Sequence, residues 1–251
     1  MVPRNEPKIS IPDHLHWDHN VEVCIRYTDE NFILSNPIWA DLIRKSGVMG
    51  LSIPDSISTH VRFERELLRT IKQNEVSDTI AKVTILSNQH YCIQLFHPTT
   101  SFWETKKEGW WSEVKSFPDL LHLPYWYRHQ KIWSSMNAMA SDMGYDLLFI
   151  LDHQKHIIET SRGGFFIVKA KKTTYIGDLK HINSISSQVV RNYIKEVTVR
   201  SFISEEELLQ SDEIFILDNA NGLQWILAMG QRRFFSITSK NIFRWLYEHH
   251  R

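Results

Sequence analysis

The chain has 251 residues, 42% hydrophobic and 23% charged, which suits a globular protein with room for a sizeable core. Its 29 basic and 29 acidic residues cancel, so no long-range field draws it to nucleic acid or to an anionic membrane. No apolar run approaches a membrane span, and MVPRNEPKISIPDH lacks the apolar centre of a secretory leader, so a cytoplasmic location is expected.

DHLHWDH, Asp13 to His19, offers three His and two Asp, but His14, His16 and His19 match no common zinc spacing. It reads as a polar loop, and no metal site is expected. In VEVCIRYTDENFIL, Val21, Val23, Ile25 and Tyr27 alternate with Glu22, Cys24 and Arg26, and the chain turns at Thr28 to Asn31. That is a hairpin. Pro37 to Val48 is helical and stops at Gly50, and Phe63, Leu67 and Ile71 share one face of a helix over Ser58 to Lys72. AKVTILSNQHYCIQLF forms a second hairpin, turning at Ser87 to His90. Cys24 and Cys92 lie inside these strands, make no disulfide framework and fit a reducing compartment.

Between His97 and Pro124 periodicity dissolves into Trp, Lys, Pro and Ser, as in a connection between lobes or a loop over a cleft. Ile132, Met136, Met139 and Met143 then give a helical stripe that Gly144 ends. DLLFILD is a buried strand, HQKH its turn, and FFIVK continues the sheet. Ile185, Val189 and Tyr193 mark a helix, and SEEE at Ser204 has the form of a capping box. EIFIL and LQWIL are strands joined across Asn221-Gly222, and a last helix carries Ile242, Trp245 and Leu246. The sum is two α/β lobes with largely antiparallel sheets.

Two features carry candidate chemistry. In ETSRGGFFIVK, Glu159 ends a strand beside glycines that permit a close approach, which places a carboxylate at a sheet edge, although the residues alone favour a surface turn. INSIS, Ile182 to Ser186, precedes a helix whose free N–H groups and Ser hydroxyls can cradle a phosphate, or which Asn183 or Ser184 can simply cap.

The order of these motifs resembles the class IV aminotransferases, the fold type IV pyridoxal-phosphate (PLP) proteins that include branched-chain and D-amino acid aminotransferases and aminodeoxychorismate lyase. VEVCIRYTDENFILSNPIWADLIRKSGVMGL is similar to the family's first hairpin and helix. MGYDLLFILDHQKHIIETSRGGFFIVK is similar to its strand–Glu–strand signature, and INSISSQVVRNYIKE to its phosphate turn and helix. The resemblance implies a two-lobed α/β (α+β) fold: a smaller N-terminal lobe over 1–117, a connecting segment over 118–130, and a larger C-terminal lobe over 131–251. It implies a PLP cofactor, an amino acid-like substrate and a homodimer, the aromatic segment from Phe102 to Trp133 suiting the interface.

In the family a Lys forms the Schiff base and moves the substrate proton, and a Glu keeps the pyridine nitrogen protonated so that the ring accepts electrons. By resemblance that Glu is Glu159, and Ser184, Ile185 and Ser186 form the phosphate turn. The Schiff-base position, however, falls on Trp126, or on Leu121 with an insertion, and the phosphate Arg falls on Asp41. Gly163-Gly164 replaces the family's small residue and Asn. Displaced candidates for the two lost side chains are Lys131, with Lys115 as a further option, and Arg44, one turn beyond Asp41. Two functions follow from the resemblance. One is PLP-dependent transamination or lyase chemistry; the other is a degenerate member without Schiff-base chemistry that binds a ligand or a partner.

Overall fold

A computed structural model describes residues 20–86, 89–98, 102, 110–116, 136–152, 154–179 and 182–250. The N-terminal lobe is built on β1 (Asn20–Thr28), β2 (Asn31–Phe32), β3 (Thr79–Leu86) and β4 (Tyr91–Phe96), which form an antiparallel sheet ordered β2-β1-β3-β4. Its helices are α1 (Ser35–Val48) and α2 (His60–Gln73), the latter capped by Thr59, whose side chain accepts from Arg62 N–H. The alternation in β1 sends Val21, Val23 and Ile25 into a core with Ile38 and Leu42 of α1 and Phe63, Leu67 and Ile71 of α2. Each such side chain stabilises the lobe by about 1.5–3 kcal/mol on burial. The opposite face of β1 carries Glu22, Cys24 and Arg26, and Arg26 is fully buried.

The second sheet takes β5 (Trp110–Ser116), β6 (Leu147–Leu151), β7 (Ile157–Thr160), β8 (Phe165–Lys169), β9 (Lys172–Ile176), β10 (Val197–Arg200), β11 (Glu213–Asp218) and β12 (Gly222–Met229). Their order is β10-β9-β8-β11-β12-β5-β6-β7, with β13 (Arg232–Arg233) on β12. Most pairings are antiparallel; β5 lies parallel to both β12 and β6, and β10 parallel to β9. Ile157 and Ile203 exchange backbone hydrogen bonds of 2.8 and 2.9 Å, so β7 at one edge meets the chain just beyond β10 at the other. The sheet therefore curls toward a barrel, and its two faces take different partners. Phe165, Ile167, Ile176, Ile214, Ile216 and Ile226 pack together in one cluster. Phe166, Tyr175, Phe215, Leu217, Leu223 and Trp225 pack under α3 (Ser184–Asn192) and α5 (Ile237–His250) in the other.

Several elements differ from expectation. The aperiodic stretch after His97 supplies β5, a strand inside the larger sheet. Along helical residues 136–142 and the turn that follows, Met136 and Ala140 are buried, whereas Met139 and Met143 are each 41% exposed. The stripe thus turns a narrower face inward than the methionines suggest. The short strands β9 and β10 carry no distinct apolar signal. The capping box is present: Ser204 Oγ accepts from Glu207 N–H at 3.1 Å, and Glu207 Oε2 accepts from Ser204 N–H at 3.1 Å, at the start of α4 (Glu205–Leu209).

Candidate functional site

Glu159 lies in β7 opposite Ile150 of β6, next to a register shift in that ladder. It is 3% exposed, and Thr160 and Ser161 are fully buried, so this is no surface turn. The loop that follows is tied to itself. Thr160 Oγ1 donates to Gly163 O at 2.7 Å, Arg162 N–H donates to Thr160 Oγ1 at 3.2 Å, and Leu148 N–H donates to Ser161 Oγ at 3.3 Å. Gly163 has φ 105°, a conformation that favours glycine.

Gly164 is needed for a different reason: a Cβ there would sit 2.1 Å from the hydroxyl of Tyr175. The Tyr175 ring from β9 thus lies directly on the glycine. Burial pushes its hydroxyl pKa up, and the charges of Glu159 and Asp178 push it further.

The turn between β11 and β12 joins the separate parts. Asp218 Oδ1 accepts from Ala220 N–H at 2.7 Å, and Oδ2 accepts from Asn221 Nδ2 at 2.8 Å and Arg162 Nη1 at 3.3 Å. Asn219 Oδ1 accepts the Ile185 N–H of α3 at 3.1 Å. The same helix start is held by Asn183, whose Oδ1 accepts from Ser186 N–H at 2.8 Å and whose Nδ2 donates to Leu217 O at 2.6 Å. Ser186 Oγ also donates to Leu217 O, at 3.3 Å. From the N-terminal lobe, Arg26 donates to Ala220 O at 3.2 Å and grips Asp78 with two bonds of 2.7 and 2.8 Å. Burial raises the Cys24 thiol, two residues before Arg26, to about 12; Asp218 and Glu22 add to the shift, and Lys82 and Lys45 oppose it.

The structure thus brings Glu159, Tyr175, Arg162, Asn219, Arg26 and the start of α3 into one connected region. Ser184, Ile185 and Ser186 lie at that helix start and are buried. Arg44 is placed otherwise. It is 45% exposed and donates to Asp41 at 2.6 Å, and Lys45 pairs with the other oxygen of Asp41 at 2.7 Å. Trp126, Leu121 and Lys131 lie outside the described residues, as does the Asp13–His19 segment; Lys115 falls in β5, its side chain outside them too.

Arg26, Tyr175 and Asn219 belong to this connected region and were missed by sequence reasoning. Arg26 was the findable one, as a charge in an alternating apolar strand; Asn219 and Tyr175 give no local signal.

No protein-family model matches the sequence, and no curated protein matches it. Solved structures do. The chain is similar to the branched-chain aminotransferase of Thermoproteus uzoniensis with norvaline, at TM-score 0.72 and 18% identity over 92% of this chain and 85% of that one. It is similar to a Legionella pneumophila protein described as a 4-amino-4-deoxychorismate lyase, at TM-score 0.76 and 12% identity over 98% and 96% of the chains. A branched-chain amino acid aminotransferase from T.th., solved with pyridoxamine 5'-phosphate, aligns at TM-score 0.75 and 15% identity over 98% and 90%. The fold is that of the class IV aminotransferases.

That fold implies PLP, and the described residues fit its phosphate poorly. Where the resemblance puts a phosphate Arg, Asp41 stands with both nearby cations drawn to it. Two of the three amides of the expected phosphate turn, Ile185 N–H and Ser186 N–H, already have side-chain acceptors from this chain. The described residues therefore support no step through the cofactor.

Proposed function

We propose that the chain is a class IV aminotransferase-like protein that holds a small amino acid-like molecule between its lobes without Schiff-base chemistry. Asp41 carries this reading. It stands where the resemblance puts the phosphate Arg, and a carboxylate offers a phosphate no hydrogen-bond donor. Arg44 and Lys45 neutralise its charge by pairing with it at 2.6 and 2.7 Å, and that pairing holds both cationic donors on Asp41. The neighbouring fold supports the ligand class, since the similar structures are described with norvaline and with 4-methylvaleric acid. A homodimer belongs to the proposal, with light scattering as its check.

Burial of Glu159 favours a second reading, retained PLP chemistry with Lys131 as the Schiff-base residue, Glu159 at the ring nitrogen, and Arg44, Ser184, Ile185 and Ser186 toward the phosphate. One experiment separates the two. Purified protein is mixed with PLP, treated with borohydride and analysed by absorption, intact mass and peptide mass mapping. The first reading expects no aldimine band and no added mass; a reduced adduct on Lys131 would establish the second.

A further inference from the structure

Resting on that reading, we infer that the phosphate end of this site is closed from within, Asn219 and Asn183 occupying the helix amides, so that the ligand carries no phosphate there. An α-helix leaves its first N–H groups without intrahelical partners, which is why helix starts receive phosphates in so many folds. In α3, Ile185 N–H goes to Asn219 Oδ1 and Ser186 N–H to Asn183 Oδ1, while Ser187 N–H bonds back to Asn183 O at 2.9 Å. The Ser186 hydroxyl donates to Leu217 O. Ser184, Ile185 and Ser186 are at most 7% exposed, so the bonds are not exchanged for water at a surface.

The Asn183 side chain and the backbone that carries Asn219 are both held in place. Asn183 uses both ends of its amide, one on Ser186 and one on Leu217. Asn219 sits in a turn pinned on both sides: Asp218 binds Ala220 N–H, Asn221 and Arg162, and Arg26 reaches across from the other lobe to Ala220 O. A phosphate would have to displace Asn219 from the Ile185 amide.

The test uses the full chain and two probes, PLP and unphosphorylated pyridoxal, titrated by calorimetry, with residue-resolved amide exchange alongside. Wild-type protein is expected to bind PLP no more than about twofold tighter than pyridoxal, since a buried amide that keeps its own acceptor adds nothing for the phosphate. In Asn219→Ala the Ile185 amide is expected to exchange on the order of tenfold faster while the Ser186 amide, held by Asn183, stays as it was. PLP binding tenfold or more tighter than pyridoxal in the wild type overturns the inference, as does an Ile185 amide that exchanges equally in both proteins.

The outcomes also separate this inference from the function it rests on. Aldimine formation with both probes at equal affinity would sink the proposed function and keep the closed end. Phosphate-dependent binding without an aldimine would do the reverse.

Discussion

Removing Asp78 should destabilise the protein more than replacing its partner Arg26 with methionine. Arg26 is fully buried and grips Asp78 with bonds of 2.7 and 2.8 Å, while the Asp78 side chain is 38% exposed. The two ends of the pair therefore respond differently. Arg26→Met keeps most of the buried stem, releases a carboxylate that water can reach, and loses the bond to Ala220 O; about 1–2 kcal/mol is expected. Asp78→Ala leaves a guanidinium in the interior without that carboxylate, for which about 3–5 kcal/mol is expected. Arg26→Lys should fall between, because an ammonium cannot make the two parallel bonds. Urea unfolding followed by tryptophan fluorescence measures all three, with nine Trp supplying the signal. Equal costs for Arg26→Met and Asp78→Ala, or the reverse order, would refute the assignment of Arg26 as a buried charge that ties the lobes.

Glu213, 4% exposed, accepts from Thr238 N–H at 2.8 and 2.9 Å and from Ser239 N–H at 3.2 Å at the start of α5, so Glu213→Gln should cost about 1–2 kcal/mol in urea; an unchanged midpoint would show the charge is not needed. Gly164→Ala forces a Cβ to 2.1 Å from the Tyr175 hydroxyl and 2.8 Å from Ile176 O, for about 3 kcal/mol or more. Adding Tyr175→Phe should recover only part of that loss, and a Gly164→Ala protein as stable as wild type would contradict the packing. Glu207 is depressed from its ordinary 4.5 to about 2, chiefly by the Arg200 bond, so the stability it contributes is complete above pH 4.5 and is lost as pH falls through 2. Because Arg200 and Glu207 are 39% and 44% exposed, the contribution is about 0.5–1 kcal/mol after screening, and the wild-type advantage over Glu207→Gln in thermal midpoint should shrink across that window. A difference that stays constant down to pH 2 would remove the pair as its source.

Both hairpins of the first half, α2 and the capping box at Ser204 were legible because their signals are local. One-sided burial imposes a period of 2 or 3.6 on the apolar residues, and a helix start selects its cap from neighbours three residues away. Glu159 was legible for its place at the end of a strand, and its burial turns that candidate into an interior carboxylate. Spacing on α1 points to Arg44, but the nearer attraction is Asp41 three residues back, and that contact takes its guanidinium.

What the chain order left open was every contact between distant segments. β5 emerges from an aperiodic stretch because its hydrogen-bonding partners, β12 and β6, come later in the chain, and pairing needs backbone rather than a side-chain pattern. Asn219 meets Ile185 across 34 residues, and Arg26 meets Ala220 across 194. The residue types alone allowed the start of α3 to be a phosphate cradle or a capped helix. An amide N–H takes whichever acceptor the fold brings within reach, and here folding the β11–β12 turn against α3 brings Asn219.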